Sequence, residues 1–549
     1  MCISPAAKYS VELFAAINSL DGAKAQLQCV VEDKCIVVDV SVLFRAMQNA
    51  HAACEAALAR IEPMYDTDIC DAVCVEMAKT TLCHAHAVTS AFEHGHTQAI
   101  EMLLACPAVV ASANVVNMHG NTALMIASHQ NCAEVVKALL ACPAIVESAG
   151  AVNPFGFTAL MFASMCGCEQ VVNALLACST VAASAHVQQH NGYTALMLAS
   201  RRGHVQVIHA LLACPHVAAS SSAFTLSGYT ALMLATNLGR VEVVKALLAC
   251  PAIVESAGAV DHFGYTALMI AAENKDAATI RALLACPMVD ASSSSAVDCL
   301  GRTALILASS CTDTISALLE CPAIVASICH KDTDGYTALM LASQHGYVDV
   351  IKVLVACSAT ALSVDATNKE GNNALMIALL FQRTRAVIAF LTSCPPVIHL
   401  LLASGVNKKG VTALMYAVQN DNAEIVATLL AHPEVVATAG ARASNGNTAL
   451  MLGSRRGHVK VMHALLACPN VVASAGAVNK NGDTALMLAS KHGIDTIRAL
   501  LACPEAVASI HAVNASGYTA LALASECGHL EAKRALIASA RARKREQRT

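Results

Sequence analysis

The stretch GYTALMLASRRGHVQVIHALLACP, from Gly192 to Pro215, returns from Gly228 as GYTALMLATNLGRVEVVKALLACP and from Gly264 as GYTALMIAAENKDAATIRALLACP. Its opening glycine recurs at Gly120, Gly156, Gly192, Gly228, Gly264, Gly301, Gly335, Gly371, Gly410, Gly446, Gly482 and Gly517. Seven of the eleven spacings are 36 residues, and the others lie between 34 and 39. A fixed period of roughly 20–50 residues marks stacked supersecondary units, because one unit is too small to hide its own apolar face. That constraint replaces the several globular domains that a 549-residue chain would otherwise suggest.

Each unit reads as two short helices. Thr194 follows the glycine turn and is a good helix N-cap, since its hydroxyl can accept a free amide of the first turn. Ala195 to Ala199 follow without a breaker, and Gly203 permits a tight turn. In VQVIHALLAC, Val207, Ile208, Leu211 and Leu212 fall on one helical stripe. Pro215 then stops that helix. The β-branched stretch beyond it, of the VVASAGAVN type, reads as an extended loop leading to the next turn.

The phrase G-Y-T-A-L-M-L-A-S-x-x-G-H-x-x-V-I-x-A-L-L resembles the ankyrin repeat, whose signature is a glycine turn, T-P-L-H-x-A, an inner glycine and a V-V-x-L-L helix. The resemblance covers about 430 residues in twelve clear units, with a worn thirteenth at His84–Pro107. It implies an all-α solenoid of stacked helix-turn-helix units joined by β-turn or hairpin-like loops. Two departures stand out. The family's proline is alanine here, and its histidine is methionine or another apolar residue, as at Ile306 and Ala522. The hydrogen bonds between repeats that the family draws from that histidine are therefore expected to be missing. Apolar contact at Met125, Met161, Met197 and Met233 would replace them. The period also exceeds the family's, with the extra residues after LLACP.

The array is placed at residues 84–536. Residues 1–83 read as degenerate helical pairs, either part of the stack or a separate helical module, and 537–549 as a basic tail. Lys533 stands where Ile208, Val244 and Ile280 stand in other units, so the last unit has the polar outer face of a terminal cap.

Composition bounds the chemistry. The chain is 56% hydrophobic yet nearly neutral, at −4, so whole-protein attraction to nucleic acid or anionic lipid is not expected. It has no apolar run long enough for a membrane span, and its first residues lack the basic start and cleavage site of a secretory signal. Of 25 cysteines, eleven share one repeat position: Cys106, Cys142, Cys178, Cys214, Cys250, Cys286, Cys321, Cys357, Cys394, Cys468 and Cys503. If units stack about 10 Å apart, this ladder cannot pair with itself, because a disulfide needs Cα atoms within about 7 Å. It reads as a small apolar position in a reducing compartment, and His432 in the same slot agrees. Cys70, Cys74, Cys83, His84 and His86 are soft ligands at high density, but their spacing matches no zinc motif, and Cys70 and Cys74 lie one helical turn apart. No nucleophile elbow, phosphate loop or H-E-x-x-H occurs. His204, His458 and His529 sit at repeat-equivalent turns, so no catalytic residue, metal or cofactor is expected.

Between repeats the letters change at three places: the residue after the turn glycine, the two or three before it, and the pair before the inner glycine. A constant frame with a variable face suggests a surface for extended protein partners. The candidates are the aromatics Phe157, Tyr193, Tyr229, Tyr265 and Tyr336 after the glycine, and the pairs Arg201–Arg202 and Arg455–Arg456. Leu380 and Phe381 join them, in the irregular unit 371–409 that lacks an inner glycine. Packing against the neighbouring turn is the alternative role for the aromatic row. The expectation is a monomeric, non-enzymatic scaffold in the cytoplasm that binds proteins and no small-molecule substrate. The alternative is a nuclear or nucleic-acid-associated regulator using Arg541, Arg543, Lys544, Arg545 and Arg548. The plainer view of that cluster is a solvated helix end that suits the dipole. Mild oxidation should create no intrachain disulfide along the ladder; non-reducing peptide mapping that joined Cys214 to Cys250 would refute stacked units.

Overall fold

The computed structural model describes residues 116–546, apart from 118, 287–288, 290–294, 358–363, 394, 404 and 493. The segment 1–83, the worn unit 84–107 and the Cys70–His86 cluster lie outside the described residues. The described chain forms two compact units, one through His262 and one from Phe263 onward, each built from the same repeat.

The repeat that turns at Gly192 shows how the residues make the unit, the few residues just ahead of a turn glycine belonging with the helices that follow it. Thr194 is extended, with φ −93° and ψ 169°, and its Oγ accepts from the Met197 amide at 3.2 Å, opening the first helix Ala195–Arg202. Gly203 ends that helix in the left-handed region at φ 89°. The second helix is Val205–Leu212. Leu196, Met197, Val207, Ile208 and Leu211 are each at most 2% exposed. Full burial of such a side chain contributes about 1.5–3 kcal/mol. The burial comes from neighbours: the first helix packs on Ala159–Cys166 and Ala231–Asn237, and the second on Glu169–Leu176 and Val241–Leu248. Threonine caps the first helix in the same way in the other repeats, except that Asn373 takes over in the irregular one.

The stretch after Pro215 corrects the expected extended loop. It begins a third helix, Pro215–Ala219, which recurs as Pro143–Ser148, Pro251–Glu255, Pro322–Ala326, Pro433–Thr438, Pro469–Ala473 and Pro504–Ala508. Proline ends one helix and suits the first position of the next, where its missing N–H and fixed φ cost nothing. The preceding residue must then be extended, and Cys214 is, at φ −85° and ψ 120°. Of the cysteine ladder, Cys142, Cys178, Cys214, Cys250, Cys321, Cys468 and Cys503 are N-caps of third helices, and His432 serves the same role. The described cysteines are all free thiols. Among the described residues the loops form no strand, only an isolated bridge between Val406 and Thr412.

Hydrogen bonds between repeats are present after all, supplied by other residues. Met125, Met161, Met197 and Met233 are buried as expected. The residue three before the turn glycine does the polar work. Asn153 accepts from the Phe155 and Phe157 amides at 3.0 and 2.9 Å, and its Nδ2 donates to Asn121 Oδ1 of the preceding repeat at 2.8 Å. Asn407, Asn479 and Asn514 reach back in the same way to Asn372, Asn447 and Asp483. His204 Nε2 lies 3.2 Å from the Met165 carbonyl one repeat earlier, and Arg383 Nε donates to the Gln344 carbonyl at 2.9 Å.

The irregular unit is packed. Gln382 adopts φ 59° in place of an inner glycine. The third helix is lengthened to Pro395–Ala403, and the Leu401 carbonyl accepts from Asn373 Nδ2 at 2.6 Å. At the other end of the array the basic stretch continues a single helix, Leu530–Glu546, and Arg543 Nη1 donates to the Val507 carbonyl. The tail expected from 537 is therefore helical through Glu546.

Gly192 and Gly517 occupy the same turn with φ 81° and 83°. A Cβ on Gly192 would stand 2.8 Å from the Thr225 Cα, whereas one on Gly517 would meet nothing within 4 Å. Gly517→Ala should cost about 1–2 kcal/mol for the left-handed backbone alone. Gly192→Ala should cost about 1–3 kcal/mol more through the clash with the next repeat. Hydrogen exchange localised to each turn measures both; equal costs would mean that the close approach contributes nothing.

Candidate partner-binding surface

Two edges of each repeat carry the residues that differ: the tip before the turn glycine and the end of the first helix. The tips are rigid. Besides the side-chain caps described above, most neighbouring tips are hydrogen-bonded to one another through their backbones. His190 N donates to the Phe155 carbonyl at 3.3 Å and Leu226 N to that of Asn191 at 3.1 Å. In the second unit Thr333 N donates to Leu300 at 2.9 Å and Lys480 N to Asn445 at 3.0 Å. With these groups engaged, a tip presents side chains to solvent.

Those side chains change character along the chain. In the first unit Val152, Phe155, Phe224, Leu226 and Val260 stand out, Phe155 at 59% and Leu226 at 68% exposure. The second unit opens with exposed Phe263, Val297 and Leu300 and then turns charged, with Lys331, Asp334, Lys369, Lys408, Lys409, Arg442 and Lys480 exposed.

A family model of ankyrin repeats in three copies matches residues 88–184, 178–256, 249–328, 314–396, 386–475 and 468–547. The chain belongs to the ankyrin-repeat family. No curated protein matches its sequence. The ankyrin frame accounts for the constant letters: capping threonine, paired helices and left-handed glycine turns are what neighbouring repeats pack against. Ankyrin repeats are in general modules of protein–protein interaction.

Within the array the aromatic row is half-buried and makes contacts inside the chain. Phe157 stacks on Phe162 with ring centres 5.1 Å apart, and Phe162 meets the edge of His129 from the preceding repeat at 5.6 Å. The Arg201 guanidinium lies 5.8 Å from the Tyr193 ring centre. The Tyr229 amide donates to Thr225 Oγ1 at 3.0 Å, and that of Tyr336 to Asp332 Oδ1 at 2.8 Å. Tyr265 Oη accepts from Arg302 Nη2 at 2.6 Å, while Arg302 also pairs with the fully buried Asp298 carboxylate at 2.7 Å. Burial pushes the Tyr265 phenol above its ordinary range, with the Glu273 carboxylate adding to the shift.

The other candidates are exposed. Arg201 and Arg202 end the first helix Ala195–Arg202, as Arg455 and Arg456 end Ala449–Arg456, where cations favour the helix dipole. Leu380 and Phe381 are 39% and 38% exposed. The sequence reading named the residue after the glycine and passed over Phe155, Phe224 and Leu226 just before it, although the letters there also vary.

Groups with chemical potential are held in quiet settings. Burial, with Cys166 and Cys132 nearby, pushes the Cys168 thiol up to about 11, away from a thiolate. Burial and then the neighbouring His529 and Arg455 hold the His492 imidazole below its usual range. A cleft of about 580 Å³ between second helices is lined by His463, Asp495, Arg498 and Cys503, but Arg498 is already beside Asp495 at 3.6 Å and Glu531 at 3.7 Å. Among the described residues no His, Cys, Asp and Glu group could hold a metal, and no helix is long and apolar enough to cross a membrane.

Phe157→Ser should destabilise its part of the array by about 1–2 kcal/mol, since it loses both buried area and a ring pair. Arg201→Ser should stay within about 0.5 kcal/mol, as at other exposed positions. Urea unfolding of the two variants checks the contrast. A negligible change at Phe157 would free its ring for recognition alone.

Proposed function

We propose that this ankyrin array is a non-enzymatic scaffold that binds partner proteins through its turn tips and first helices. One observation carries the reading: the residues that repeat are buried in contacts between repeats, and most of those that differ are exposed on tips and helix ends. Rigid display costs little entropy on binding, because tips already hydrogen-bonded to one another lose little freedom. Phe157, Tyr193, Tyr229, Tyr265 and Tyr336 would shape the base of this surface. Arg201, Arg202, Arg455, Arg456, Leu380 and Phe381 would touch the partner directly. Free thiols, several of them exposed, support a reducing compartment, and we place the protein in the cytoplasm.

A second reading, attachment to nucleic acid in the nucleus, draws on the exposed Arg541 and Lys544 of the last helix. It requires DNA binding that falls steeply with salt and disappears on removing residues 541–549.

The scaffold reading is tested with the purified chain and chemical cross-linking. A stoichiometric protein partner should be recovered, with cross-links mapping to tips and first helices. Combined Arg201→Glu, Arg202→Glu, Arg455→Glu and Arg456→Glu should weaken its binding without lowering the melting temperature. Cross-links confined to the second-helix face would overturn the assignment of the surface.

A further inference from the structure

Across residues 150–240 the turn-and-first-helix face joins exposed apolar groups to cations, with no carboxylate between them. Phe155, Phe224 and Leu226 are 59%, 45% and 68% exposed. Phe155 stands on one tip and Phe224 and Leu226 on the next but one, and apolar groups this large left in solvent mark a surface that something covers. The turns and first helices here span residues 152–168, 187–204 and 223–240, and none contains Asp or Glu. They carry Arg201, Arg202 and Arg240, all exposed. Arg240 lies over the Gly203 turn, with its Cδ 3.1 Å from where a Cβ would stand, so it sits next to the end of the helix that carries the other two. The carboxylates of this region lie elsewhere: Glu169 and Glu242 on second helices, and Glu147 and Glu255 on third helices.

We infer that this face binds an extended polypeptide segment in which acidic residues alternate with apolar ones. The inference rests on the protein-binding reading above and names the partner's chemistry. Apolar side chains of the partner cover Phe155, Phe224 and Leu226, and its carboxylates pair with guanidinium groups that have no carboxylate of their own among the described residues. Packed helices of neighbouring repeats lie about 8–10 Å apart. An extended chain advances about 3.3 Å per residue, so each repeat spans about three residues of the partner. Phe155 and Leu226 lie two repeats apart and therefore meet partner residues about six positions apart. Recognition is through side chains, because the Phe155 and Asn191 carbonyls and the Leu226 amide are already engaged between tips. A nucleic acid suits the face less well: three arginines neutralise few phosphates, and Leu226 offers no ring for a base to stack on.

The test is titration of the full chain with a fluorescein-labelled peptide of repeated Leu-Asp-Glu triplets, read by anisotropy. Saturable binding is expected. Arg201→Glu with Arg202→Glu should weaken it about tenfold or more, and the Gln pair at the same positions less. Phe155→Ser with Leu226→Ser should weaken it by a similar factor while leaving the far-ultraviolet circular dichroism unchanged, since both side chains are exposed. A Leu-Lys-Lys peptide that bound as tightly, or unchanged affinity in the charge-reversed variant, would overturn the proposal. So would tighter binding of single-stranded oligothymidylate lost with the same arginines, which would assign the face to nucleic acid. A protein partner cross-linked to the chain that still bound the charge-reversed variant would leave the scaffold reading standing and remove only this one.

Discussion

Everything in this fold depends on one repeat covering the next. A first helix such as Ala195–Arg202 is buried along almost its whole length up to the two terminal arginines, because it has a like helix on either flank and its own second helix behind. No isolated pair can achieve that, so stability is a property of the contact between units. The turn glycine belongs to the same constraint. It permits a left-handed turn and also lets the next tip approach to van der Waals distance, as Thr225 does at Gly192.

This requirement explains which letters stay constant and which do not. Leu, Met, Val and Ile in the two helices, the capping threonine and the turn glycine face another repeat, where a change of one methylene is felt. The last two residues of the first helix, and those just ahead of the glycine, face outward. Those just ahead of the glycine include exposed apolar side chains between residues 152 and 300 and are largely basic near 408–480, while the frame beneath stays the same. Inner turns tolerate more: Asn131, Lys275, Gln382 and Asp421 accept positive φ where other repeats use glycine. Asn and Asp enter that region at modest cost, but Lys275 and Gln382 are held there by their surroundings.

Much of this was legible in the sequence because the period repeats the same physical problem twelve times. Helix boundaries, Thr194 as cap and Val207, Ile208 and Leu211 as core follow from spacing and residue type. The third helix was not legible, since proline before β-branched residues reads equally as the start of an extended loop or as the first turn of a helix. Only contact with neighbours, which buries Val217, decides between them. The asparagine ties between repeats were hidden for a similar reason: Asn153 reads as an ordinary turn residue, and its second bond goes to a repeat 32 residues away. On the candidate surface, aromatic spacing drew attention to Phe157 and Tyr193. Whether a ring points at a neighbour or at solvent depends on the turn, and here one step in sequence separates half-buried Phe157 from the position beside exposed Phe155.

The third helices also separate the length of the protein from its integrity. Because joints between repeats use interchangeable residues, a segment such as 192–227 begins and ends at equivalent points. Its loss would rejoin Asn191 to Gly228, restoring the same turn with the same kind of neighbour on either side. Unequal crossing-over between near-identical repeats in the coding sequence would thus yield shorter or longer arrays that still close every joint. Such changes delete or add whole tips, so the order of apolar and charged side chains can be edited in units of one turn. A lineage carrying this chain therefore has a route to new binding surfaces that does not pass through unfolded intermediates.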